Sequence, residues 1–278
     1  MKVLFYWASD KPKHQSKIAN KADPGEYIIH TKPRKGQKDE VTKYFDVQRQ
    51  DVQDWWSDAA GDAIHKYACD GIFVDGAVAG HPEGSYAKEF GKEKAAVMNK
   101  AVFSMLADAR KKMGPDTLIL FNPLHDTDGK RAPLGQEQLQ VTDGAMIDDF
   151  DRSGKARQQS VEYMVNTLGA MRAAAKDGKI ILFKGWPDFT MALRKSPELK
   201  KKMSLDDLRR EARKDILFPL ACFLIAAEKN CYFCYTWAGI QVKAVWNGTQ
   251  SLKRHWAPRK VMPFARAGLS SVSSNMLP

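Results

Sequence analysis

Apolar residues in this chain fall into two alternating patterns. Short unbroken runs occur at Val3–Ala8, Gly71–Val74, Thr117–Phe121, Ala145–Ile147, Lys179–Phe183 and Cys231–Tyr235. Runs of this length, bounded by polar or turn residues, predict strands buried on both faces of a parallel sheet. Between them the apolar spacing lengthens to three and four, which predicts helices. Asp51 stands at a good N-cap before a helix through Trp55, Trp56, Ala59, Ala63 and Tyr67. A second helix runs from Lys92 to Met113 and stops at Gly114-Pro115. A third spans Ser160 to Ala175 and ends near Gly178. Ser204 caps a long fourth helix through Leu205, Leu208, Ile216, Phe218 and Phe223, with a kink expected at Pro219. Glu26–Thr31 reads as a short extra strand or part of a loop, and Gly76–Gly91 and His125–Thr142 read as long polar loops.

Strand and helix alternation of this kind predicts an α/β fold. The length suits a (β/α)8 TIM-type barrel, but only about six βα units are recognisable. The expectation is therefore an open or incomplete barrel that lacks the first two strands. A single domain is expected over residues 1–264, followed by a poorly ordered tail, 265–278.

The composition narrows the function classes. The chain has 278 residues and a formal net charge of +11, from 44 Lys+Arg against 33 Asp+Glu. That excess attracts anions, whether nucleic acid, an acidic surface or an anionic polysaccharide. No zinc-finger, helix-turn-helix or RNA-binding signature accompanies it, so nucleic acid is disfavoured. The apolar run Ile216–Ala227 is too short for a membrane span. The first ten residues read as a strand rather than a signal peptide, and export stays undecided. Cys231 and Cys234 have metal-ligand spacing, but three residues apart on a strand their thiols face opposite ways. The four cysteines are read as free, with neither a metal nor a cofactor implied.

The chemistry gathers at the strand ends. The run Asp70-Gly71-Ile72-Phe73-Val74-Asp75-Gly76 ends abruptly in a carboxylate, and Gly144-Ala145-Met146-Ile147-Asp148-Asp149-Phe150 does the same. Parallel barrels present catalytic groups at this end of their strands, and paired carboxylates are what glycoside hydrolysis needs. Only one of Asp148 and Asp149 can face the barrel axis. Met146 shares its face with Asp148, so Asp148 is the choice and Asp149 stays in reserve. Asn122 and Lys184 end two further strands, and a lysine close to two acids holds one of them ionised. Tyr6, Trp186, Tyr235 and Trp237 are candidate sugar-stacking platforms. His81 lies alone in its loop.

In order along the chain, Tyr6-Trp7, Tyr44-Phe45-Asp46, Trp55-Trp56, the Asp70–Gly76 run, Leu120-Phe121-Asn122, Met146–Phe150, Lys184-Gly185-Trp186-Pro187 and Tyr232–Tyr235 resemble a barrel-type family of hypothetical, largely bacterial glycoside hydrolases. The resemblance covers roughly residues 2 to 240 and begins at what would be the family's third strand. Where the family pattern has glutamate, this chain has Asp148. The resemblance implies an O-glycosyl hydrolase acting on a carbohydrate, with Asp75 as nucleophile and Asp148 as acid and then base. The charge adds a hint of an anionic polysaccharide. Two rival classes remain open at this point: a non-catalytic carbohydrate-binding barrel and a basic nucleic-acid-binding protein.

Overall fold

All six apolar runs form strands. In a computed structural model of the chain, described for residues 2–11, 28–30, 43–81, 84–125, 133–148, 150–151, 159–190, 193, 198, 203–236 and 265–266, they are β1 (Leu4–Ala8), β4 (Gly71–Asp75), β5 (Leu118–Asn122), β6 (Gly144–Ile147), β7 (Ile180–Gly185) and β8 (Cys231–Tyr235). They pair in sequence order, each parallel to the next. A two-residue strand, β9 (Ala265–Arg266), adds antiparallel to β8. The segment expected to begin a tail at residue 265 thus opens with sheet pairing, and 267–278 lie outside the described residues. A separate hairpin-like pair joins β2 (Ile28–His30) to β3 (Lys43–Phe45).

Among the described residues the sheet does not close: β1 is one edge and β9 the other. This bears out an α/β fold with six parallel strands, which by themselves do not form a complete (β/α)8 barrel. Closure of that barrel type takes eight strands tilted and staggered together, and six parallel strands do not reach round.

One face of the sheet is covered by helices. Phe5, Trp7, Ile72, Val74, Ile119, Phe121, Ala145, Ile147, Ile181 and Phe183 point into the main core. They meet α1 (Gln50–Tyr67), α3 (Lys92–Met113), α4 (Val161–Lys176) and α6 (Leu217–Ala226). Trp56 of α1 is fully buried and its indole N–H donates to Ala8 O at 2.8 Å, while Trp7 Nε1 donates back to Trp56 O at 3.2 Å. This reciprocal pair ties the helix to the end of β1. The opposite face carries a smaller apolar floor of Leu120, Met146 and Leu182, with Leu4, Phe73, Ile180 and Tyr232 packed beside it.

Local departures have local causes. Asp51 lies inside the first turn of α1 rather than at its N-cap, which is Arg49. There the carboxylate takes hydrogen bonds from Arg49, which hold it below its usual range. Ser160 and Ser204 do cap α4 and α5 (Leu205–Asp215), the latter as a full capping box with Asp207. The expected long fourth helix is two helices, α5 and α6, broken at Ile216. Proline clashes with the carbonyl four residues earlier, which for Pro219 is that of Asp215, so the break falls upstream of the proline. The loop after β4 contains a short helix, α2 (Ser85–Phe90), because Tyr86 and Phe90 pack edge-on against Tyr44.

Candidate active site

The pleat sorts the strand-end residues by face. Parallel register sets Tyr6 beside Phe73, Asp75 beside Asn122 and Lys184 beside Cys234. Partnered residues in a parallel ladder share a face, and every second residue along a strand returns to it. Tyr6, Asp75, Asn122 and Lys184 therefore line the floor face at the C-terminal ends of the strands. Asp148, two residues beyond Met146, joins them.

Each carboxylate is held by named donors, and the two are held differently. Tyr6 Oη donates to Asp75 Oδ2 at 2.5 Å, and Asn122 Nδ2 donates to Oδ1 at 3.3 Å. Asp75 thus has a donor on each oxygen. Its own carbonyl accepts from Ser9 N at 2.8 Å and from Ser9 Oγ at 3.1 Å, which anchors the backbone as well. Asp148 Oδ1 pairs with Lys184 Nζ at 3.0 Å and accepts from Trp186 Nε1 at 3.0 Å. The same indole N–H donates to Asp148 O at 2.7 Å. Among the described residues no donor is placed on Asp148 Oδ2.

Trp186 sits where a stacking platform was expected, but its ring is otherwise engaged. It is 7% exposed, and Lys184 Nζ lies 3.7 Å from the ring centroid. The indole braces Asp148 and carries a cation on its face, so that face is closed to a sugar. Tyr6 is 40% exposed, with its ring centroid 6.3 Å from that of Phe73. Tyr235 lies on the other side of the sheet, stacked on Phe233 and packed against the Phe189, Leu193, Leu208 and Ala212 cluster; its alternation with Cys234 turns it away from the candidate site. Asp149 and Trp237 lie outside the described residues. His81 is half-buried, and its backbone N–H closes a turn with Val78 O at 3.0 Å.

Asp10 is a residue that pattern reading passes over. It is 6% exposed, just beyond β1, and its carbonyl accepts from Phe45 N at 3.0 Å. Its carboxylate lies against Gly76, the residue after Asp75, so closely that a Cβ there would sit 2.3 Å from Oδ1. Lys11 Nζ is 3.7 Å from Oδ2. The fully buried Tyr86 hydroxyl shares this environment: burial pushes its pKa well up, and the charges of Asp10, Tyr44 and Asp46 push it further. The only sequence signal was two polar residues, Ser9 and Asp10, following a buried run.

Cys234 also stands on the floor face. Register puts it beside Lys184. Burial pushes its thiol up, with the Lys184 ammonium acting against that and Asp148 adding to it. Among the described residues no cluster of His, Cys, Asp and Glu could hold a metal ion, and no helix is long and apolar enough to cross a membrane.

The structure is similar to that of the glycoside hydrolase domain of PelA from Pseudomonas aeruginosa, with a TM-score of 0.51 and 13% identity over 84% of this chain and 77% of that one. A weaker likeness, TM-score 0.43 and 14% identity over 85% of this chain and 46% of that one, is to the maltogenic alpha-amylase AmyB from Thermotoga neapolitana. At 13% identity the likeness to the PelA domain is one of fold. No curated protein matches the chain. A family model matches residues 1–254, and the chain belongs to the family described as Hypothetical glycosyl hydrolase family 15.

Proposed function

We propose that this protein hydrolyses O-glycosidic bonds of a carbohydrate, with Asp75 and Asp148 as its carboxylate pair. The observation that carries the reading is their placement on one face of the sheet, at the C-terminal ends of β4 and β6, each fixed by its own donors. Family membership supports the reaction class. Glycoside hydrolysis needs two carboxyl groups in unlike environments, and these two differ in kind. Asp75 accepts on both oxygens, as an ionised carboxylate does. Asp148 has both its donors on Oδ1, which leaves Oδ2 to exchange a proton with the glycosidic oxygen or with water.

The spacing favours a water between them. β5 separates β4 from β6, so roughly 10 Å lie between the two strand axes. Asp148 also stands one pleat further along than the residue level with Asp75. Two short side chains converging across that gap approach the ~6.5–9.5 Å separation of inverting enzymes more readily than the ~5–5.5 Å of retaining ones. On this reading one carboxyl group of the pair activates the water and the other protonates the leaving oxygen.

Charge at the rim does not favour a polyanion. Among the described residues the rim carries Asp10, Asp75 and Asp148 with Lys11 and Lys184, three acids with two bases, which favours a neutral sugar over a sulfated one. Of the two basic runs that a nucleic acid could meet, Lys200-Lys201-Lys202 lies outside the described residues, and Arg209 to Lys214 carries its own acids. On α5, Arg209 pairs with Asp206, Arg210 with Asp207 and Lys214 with Glu211.

The test is release of reducing ends from neutral, amino and sulfated glycans, with Asp75→Asn as control. Asp75→Asn eliminates release at unchanged circular dichroism, and the first product has inverted anomeric configuration by proton NMR. Unchanged turnover in Asp75→Asn removes the residue from the mechanism, and glycan binding without product selects a non-catalytic barrel.

A further inference from the structure

We propose that Lys184 and Trp186 act together as a positioning clamp on Asp148, setting which of its two oxygens meets the substrate; this rests on reading Asp148 as a member of the working carboxylate pair. Asp148 needs such support. β6 ends at Ile147, so Asp148 lies one residue past the sheet ladder, and an aspartate side chain free to turn there would present either oxygen.

Three contacts remove that freedom. Trp186 Nε1 bridges the backbone and side chain of the same residue, 2.7 Å from Asp148 O and 3.0 Å from Oδ1. That bifurcated bond fixes the side-chain torsion relative to the main chain. Lys184 Nζ reaches Oδ1 at 3.0 Å from the other direction. The ammonium also sits 3.7 Å from the Trp186 ring centroid, so lysine and tryptophan hold each other as well as the acid. Both belong to the run leaving β7, the strand paired to β6 through Ile147 and Phe183. Lys184 is 15% exposed at its side chain and Trp186 7% overall, so water does not compete freely for these bonds. The result is a carboxyl group whose Oδ1 is committed and whose Oδ2 has no donor among the described residues, the preorganisation that proton transfer to a bound substrate requires.

The experiment compares wild type with Trp186→Phe, which keeps a ring beneath the ammonium but removes the N–H, with Lys184→Met, which removes the charge, and with Lys184→Arg, which restores it. Reducing-end release is measured on amylose, dextran, chitin and partially deacetylated chitin oligosaccharides. A misplacement of about 1 Å costs on the order of 100-fold in rate. The expected result is a kcat lower by roughly 10- to 100-fold in Trp186→Phe and Lys184→Met, a KM within about twofold of wild type, and partial recovery in Lys184→Arg. A wild-type kcat in Trp186→Phe and in Lys184→Met overturns the clamp. The second measurement needs no substrate. With aspartate labelled at 13Cγ, the Asp148 resonance is identified by its loss in Asp148→Asn and that of Asp75 by its loss in Asp75→Asn. The Asp148 signal moves in both clamp variants while that of Asp75 stays; an unmoved Asp148 signal overturns the clamp. If wild type releases no ends from any glycan, the hydrolase reading falls, and the labelled spectra alone decide whether Asp148 is held as described.

Discussion

Replacing Gly76 by alanine tests the link between the buried Asp10 and the rim. Gly76 has φ +83°, a left-handed conformation that costs a residue with a Cβ roughly 1–2 kcal/mol. The added Cβ would also lie 2.3 Å from Asp10 Oδ1, 2.5 Å from its Cγ and 2.9 Å from its Cβ. Contact distance begins near 3.4 Å, so the shortfall at Oδ1 is 3.4 − 2.3, about 1 Å. Asp10 is 6% exposed and its backbone is tied to Phe45, so it has little room to swing aside. Forcing atoms into a filled site typically costs about 1–3 kcal/mol. The expected loss for Gly76→Ala is then roughly 2–5 kcal/mol, read as a lower midpoint in urea with an unchanged slope. If the backbone yields instead of Asp10, Asp75 moves, and turnover falls on the order of 100-fold. The double variant Gly76→Ala, Asp10→Ala separates the two contributions. Removing the carboxylate relieves the overlap and leaves the backbone strain, so the double variant loses less than the sum of the singles by roughly 1–3 kcal/mol. Gly76→Ala within about 0.5 kcal/mol of wild type, or a strictly additive cycle, refutes the reasoning.

Trp56→Phe leaves the Ala8 carbonyl without its 2.8 Å donor and should lower stability by about 1–3 kcal/mol; a urea midpoint equal to wild type counts against the reciprocal tie. Lys2, followed by the Val3 N–H, holds the Asp70 carboxyl below its usual range. A group depressed in the folded state contributes stability above the ordinary carboxylate pKa and loses it as pH falls through its folded value. Wild type should therefore exceed Asp70→Asn in Tm at neutral pH, and the two should converge below about pH 4; parallel curves reject this. Burial pushes the Cys231 and Cys234 thiols up, so at pH 8 iodoacetamide should modify both more slowly than free cysteine, with the difference lost in urea.

What the sequence made legible follows the range of the forces involved. The six parallel strands were readable because a strand buried on both faces is apolar throughout, as Ile72 to Val74 and Ile119 to Phe121 are. Asp75 and Asp148 were readable because a carboxylate ending such a run has to leave the core. The choice between Asp148 and Asp149 rested on the period of two, and the Lys184 ion pair puts Asp148 on the expected face. Orientation across strands was not legible. Tyr235 ends its strand as Asp75 does, but its register with Gly185 and its stacking on Phe233 turn it toward the helices. The role of Trp186 was hidden too, since a tryptophan after a strand reads equally as platform or brace until the partner of its N–H is known. Asp10 carried no pattern because its significance lies in a contact with Gly76, 66 positions away.

An open sheet is a sufficient frame for this site because neither carboxylate stands on an edge. β4 is paired to β1 on one side and β5 on the other, and β6 to β5 and β7. Each acid-bearing strand is therefore fixed by ladders on both flanks, whatever happens at β9. The donors obey the same rule: Tyr6 comes from β1, Asn122 from β5 and Lys184 from β7, each a direct neighbour of the strand whose acid it holds. The geometry that matters for the proposed proton transfer is set by nearest-neighbour register over the span from β1 to β7, and that span is continuous.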